Sequence, residues 1–249
     1  MSLRIDDDAW IAGATLIHDF ACDAVFEVER TLLRDVGRDD LEALRGPLRA
    51  AGLPSVDDGY VATAALVGRE QDLAGYYQRL IAVLTRRGRT EALTRPFPHF
   101  RVQPLILSAG TGLTEFSWVD SVPETASVLE ALAGAPAGAD ADGLVWDDLD
   151  QGWAVRILAR GETTYLVEWN WEDEADVPAG YGFRTDALAD QAAGALERLT
   201  AMHRHLVQAL GRDYWSYIPP AGMGRSASAG AVFGRGLLSL AGWVRRRRK

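Results

Sequence analysis

Four histidines, one cysteine and several runs of carboxylates are the side chains of this 249-residue chain that could move protons, hold a metal or form a covalent intermediate. A zinc site needs ligands that converge from suitable spacings. His203 and His205 stand two apart in a helical stretch, so they point in different directions, His203 near the apolar stripe and His205 outward. His18 falls beside another apolar stripe and reads as a boundary residue, whereas His99 lies in a Pro/Phe loop and could take part in chemistry. Cys22 stands alone, which excludes an internal disulfide and a cysteine-based zinc site; its apolar surroundings make it a buried thiol. Asp147, Asp148, Asp150, Glu172, Asp173, Glu174 and Asp176 are the densest acids. Paired acids can do glycosidic or metal chemistry, but these stand at the ends of expected strands and in loops, where solvation accounts for them. Asp140-Ala141-Asp142-Gly143 resembles the start of a calcium loop, yet Gln151 occupies the twelfth position where a glutamate belongs. Ser108-Ala109-Gly110-Thr111-Gly112 is read as a hairpin turn: Glu115 falls where a dinucleotide fingerprint needs its third glycine, and no Gly-Lys-Ser/Thr follows. With no Gly-x-Ser-x-Gly elbow either, the sequence assigns no catalytic residue, no metal and no cofactor. The enzymatic alternative is a hydrolase or transferase with a site near His99 and the acidic loops.

The elements that must position these groups follow from periodicity. Trp153, Val155 and Ile157, then Tyr165, Val167, Trp169 and Trp171, alternate as strands do. A three-residue loop at 160–162 would pair Ile157 with Tyr165, Val155 with Val167 and Trp153 with Trp169 on one apolar face. Thr185 to Leu210 carries Leu188, Ala192, Ala195, Leu199, Met202, Leu206 and Leu210 on one helical stripe, with Asp186 as N-cap and Gly211 as terminator, and this helix is expected across the hairpin. Ile5 to Val36 reads as a long helix with a stripe of Trp10, Ala14, Ile17, Ala21, Val25, Val28 and Leu32. Asp39 to Ala51 is a second helix with a break at Gly46-Pro47, and Glu70 to Arg87 a third. Tyr60 to Val67 does not decide between helix and strand. Phe100 to Leu107 and Leu113 to Val119 are strands, Pro123 to Ala133 a short helix, and Val145 to Leu149 an edge strand. Helices, then strands, then a helix favour an α+β fold. The expectation is an antiparallel sheet of about four or five strands packed against helices, with a helical N-terminal half, a long C-terminal helix and a flexible basic tail. The parts are 1–95, mostly helical; 96–218, sheet plus long helix, which 1–95 can join in one domain; and 219–249, linker and tail.

Charge separates the body from the tail. The 25 residues from Arg225 onward hold seven basic groups and no acid, so the remainder carries 19 basic groups against 35 acids, a net of −16 within the overall −9. Such a body repels nucleic acid and anionic membrane and favours a cationic partner. The tail joins a short apolar segment, Leu237, Leu238, Leu240 and Trp243, to Arg245, Arg246, Arg247, Arg248 and Lys249, a pattern open to an anionic membrane, nucleic acid, a partner groove or the acidic body itself, and to the further alternative of a peripheral membrane or cargo-type protein targeted by its tail. The first residues are acidic where a signal peptide is basic, no apolar run reaches the ~20 residues of a membrane span, and a cytoplasmic location, peripheral to a membrane at most, is expected.

Around Asp148-Leu149-Asp150-Gln151-Gly152-Trp153, Tyr165 to Glu172 and Gly211-Arg212-Asp213-Tyr214-Trp215, the chain resembles small bacterial proteins of the toxin-immunity type over residues 148–216. That resemblance implies a short antiparallel sheet on a helix, with an acidic face that engages a protein partner. The function expected is non-enzymatic protein binding, as an immunity or accessory/adaptor protein, through Glu172, Asp173, Glu174, Asp176 and Arg156, with the tail as a second, cationic docking element.

Overall fold

From Asp8 the chain makes a six-residue 3-10 helix, Asp8–Gly13, a two-residue strand β1 (Thr15–Leu16) and a seven-residue strand β2 (Ala21–Glu27). The long helix expected over Ile5 to Val36 is therefore absent from its described part. The reason is burial: every residue from Cys22 to Val28 is buried. A strand covered on both faces shows no period of two, so its apolar positions also satisfy a helical stripe. After it come α1 (Arg38–Ala50), β3 (Tyr60–Ala62), a 3-10 turn (Thr63–Leu66), α2 (Glu70–Arg86) and α3 (Glu91–Thr94). Helix α1 runs through Gly46-Pro47 without the expected break. Then follow β4 (Val102–Ser108), β5 (Thr111–Thr114), α4 (Val122–Ala133), β6 (Asp142–Asp150), β7 (Trp153–Arg160), β8 (Thr163–Asn170), β9 (Ala179–Arg184) and α5 (Thr185–Leu210). This computed structural model describes residues 8–28, 38–53, 59–94, 99–114, 116, 119–150, 153–170 and 179–216. The chain divides into two units, Met1–Tyr217 and Ile218–Lys249, and every described residue belongs to the first.

The fold is α+β, with two sheets instead of the one expected. Four strands run in the order β3-β2-β4-β5, all antiparallel; five run β1-β9-β8-β7-β6, antiparallel except for β1 beside β9. Strands β1 to β3 lie within 1–95, which was expected to be mostly helical, and β2 pairs with β4, so segments from both sides of residue 95 share one sheet. The β4–β5 turn is the hairpin expected at Ser108 to Gly112, with Ala109 and Gly110 both at positive φ (50° and 77°), as two-residue turns that match strand twist require.

The β7–β8 hairpin corrects the expected register. Arg160 pairs with Thr163, which leaves a two-residue turn, Gly161-Glu162, with Gly161 at φ 60°. Ile157 therefore faces Leu166, not Tyr165, and Arg156 faces Val167. One residue of slip sends Tyr165, Val167 and Trp169 to the other side of the sheet. Val155, Ile157, Leu166 and Phe183 face the main core, while Val167 and Trp169 pack with Ala154 on the outer face.

Helix α5 has the bounds its stripe predicts, and its buried residues Leu188, Ala192, Ala195, Leu199, Met202 and Leu206 share one core with the inner face of the hairpin and with Cys22, Ala24 and Phe26 of β2. Gly211 ends it at φ 70°. Its N-cap is Arg184, not Asp186; Asp186 sits in the first turn, paired with Arg184 and accepting the Ala187 N–H at 2.7 Å. Negative charge there complements the helix dipole. Helix α4 starts with a capping box, in which Ser121 accepts from the Glu124 N–H and donates to its carboxylate at 2.8 Å. Tyr214 and Trp215 fold back as expected: Trp215 lies edge-on to Phe26, Tyr77 and Phe100, and Tyr214 stacks on Phe100.

Candidate functional site

Acids inside the apolar strand β2 must find partners, because an unpaired buried charge is costly. Glu27 accepts from Arg101 at 2.8 Å, and Arg101 also holds Asp120 through its Nε at 2.5 Å. Burial works against the Arg101 charge, but Asp120 and Glu27 outweigh it and hold the guanidinium protonated. Asp23 accepts from Thr63 at 2.5 Å, from the Ala64 N–H at 2.8 Å and from Arg198 of α5 at 2.9 Å, so this β2 carboxylate caps the 3-10 turn after β3. Both acids are committed to structural bonds. Beside them, burial pushes the Cys22 thiol up to about 12, where it is no nucleophile at neutral pH. Burial, with Glu27 next, raises Tyr77 as well, and its hydroxyl donates to the Glu27 carbonyl at 3.0 Å.

The outer face of the five-stranded sheet is built differently. Leu144, Asp147, Arg156, Leu158, Tyr165, Val167, Trp169, Gly180 and Gly182 share it by register. At one side β6 is the sheet's edge and carries Asp142, Asp147, Asp148 and Asp150 in nine residues, with Leu144 52% exposed between them. Asp142 pairs with Arg160 at 3.2 Å where both are exposed, a pairing of little energetic weight. Asp147 lies across from the half-buried Arg156. At the other side Gly180 and Gly182 present no side chain, and Trp10 and Leu16 occupy the space: a Cβ at 180 would lie 2.8 Å from the Trp10 ring and one at 182 would lie 2.6 Å from Leu16. Trp10 packs against Ala154, Val167 and Trp169 and lies edge-on to Tyr165 at 6.5 Å.

The residues singled out from sequence are not brought together. Of the partner-binding set, Arg156 is on the outer face, while Glu172, Asp173, Glu174 and Asp176 lie outside the described residues, as do Trp171 and the tail positions Leu237, Leu238, Leu240, Trp243 and Arg245 to Lys249. His99 is buried and does not line a surface site. His18 is exposed in a connection, and His205, expected outward, is half-buried. His203 meets Asp213 at 3.0 Å, and Asp213 also accepts from the Trp215 and Ser216 N–H groups. Burial works to raise Asp213, but these hydrogen bonds prevail and hold it down at about 2. Among the described residues no group of three or more His, Cys, Asp or Glu side chains could hold a metal, and no helix is long and apolar enough to cross a membrane. Sequence reasoning passed over two signals: the acids of A-C-D-A-V-F-E, which demanded buried cations, and the alternation Gly180-x-Gly182, which in a strand marks a bare face and a close approach. Comparison of the chain with protein-family models, with curated proteins and with solved structures yields no match.

Proposed function

We propose that this chain is a non-enzymatic protein-binding protein of the bacterial cytoplasm, an immunity or accessory/adaptor factor whose acidic body engages a cationic segment of its partner. The observation that supports this reading most is β6, a nine-residue edge with four aspartates and an exposed leucine. Among the described strands, only β7 pairs with it, so its outer backbone groups can add an extended segment. Its aspartates favour a basic one, and they repel a second copy of the same edge. The acidic stretch Glu172 to Asp176 and the cationic tail would extend the contact. His99, the centre of the enzymatic alternative, is buried, which gives a surface reaction no support.

The test uses the full-length protein and a labelled peptide of alternating lysine and valine. Binding should weaken steeply with salt, since exposed charges are screened over about 8–10 Å at moderate ionic strength. The double substitution Asp147→Lys, Asp148→Lys should weaken it about tenfold or more. Binding that ignores both salt and charge inversion would refute the acidic-edge reading.

A further inference from the structure

We draw no further inference here: the strongest candidate, the face of the four-stranded sheet turned away from the main core, where Val25, Tyr60, Ala62 and Leu105 form a separate buried cluster beside Gln103, whose buried Nε2 meets no acceptor among the described residues, carries nothing because nothing in the structure shows what covers it.

Discussion

The four-stranded sheet buries Asp23, Glu27 and Arg101 against specific partners, whereas the five-stranded sheet keeps Asp142, Asp147, Arg156 and Arg160 at or near its exposed edge and, among the described residues, carries Trp10 and Leu16 on its outer face. The first arrangement tolerates no rearrangement, because any moved group leaves a buried charge behind. The second can lose a contact to water at little cost. Buried and exposed charge thus fall on different sheets, and breaking each should look different.

The largest effect belongs to the buried network. Arg101→Met leaves Glu27 inside without its cation and should cost about 3–5 kcal/mol of global stability, read from a denaturant midpoint. Adding Glu27→Gln should recover part of that loss, since Asp120 is a quarter exposed and can turn to water. If the single variant lost less than about 1 kcal/mol, the network would not be the anchor described.

Next comes the packing of Trp10 on β9. Gly180→Ala forces a Cβ to 2.8 Å from the Trp10 ring and should cost about 1–3 kcal/mol. The loss should appear in the 8–17 segment, with β7 and β8 still protected from exchange. Gly143→Ala, on the far edge of the same sheet with nothing within 4 Å of a Cβ, is the control and should stay within about 0.5 kcal/mol. Equal effects at both glycines would erase the contrast between the two edges.

What the sequence showed of this contrast depended on exposure. Helix α5 was legible to the residue, because one face is wet and the period of 3.6 survives. The β6 edge and the β4–β5 turn were legible for the same reason, through polar alternation and turn glycines. Strand β2 was not: with Cys22 to Val28 buried on both faces, its pattern carried no period to separate strand from helix. The hairpin register failed on a single residue of turn length, and that residue decided whether Trp169 joined the main core or the outer face. The contact of Trp10 with Gly180 was hidden for another reason: they are 170 positions apart, and nothing local to either says that the other fills its space. The partner-binding acids at 172–176 rest on composition alone.

The smallest effect is expected where the two regimes meet, at the turn after α5. Asp213 is about a third exposed, yet its bonds to His203, Trp215 and Ser216 hold its carboxyl at about 2, well below the usual carboxylate range. A carboxyl depressed in the fold stabilises above the pKa of the unfolded chain and stops doing so as pH falls through the folded value. That contribution should therefore be complete above pH ~4 and vanish between ~4 and ~2. Asp213→Asn should be less stable than the wild type at pH 7 by under about 1 kcal/mol, because water screens a group this exposed, and the two should converge near pH 2. Denaturant midpoints at pH 7, 4 and 2 give the comparison. A gap that persisted at pH 2 would mean that Asp213 acts through its shape in the turn that seats Trp215 on Phe26; a gap that closed would assign the effect to charge.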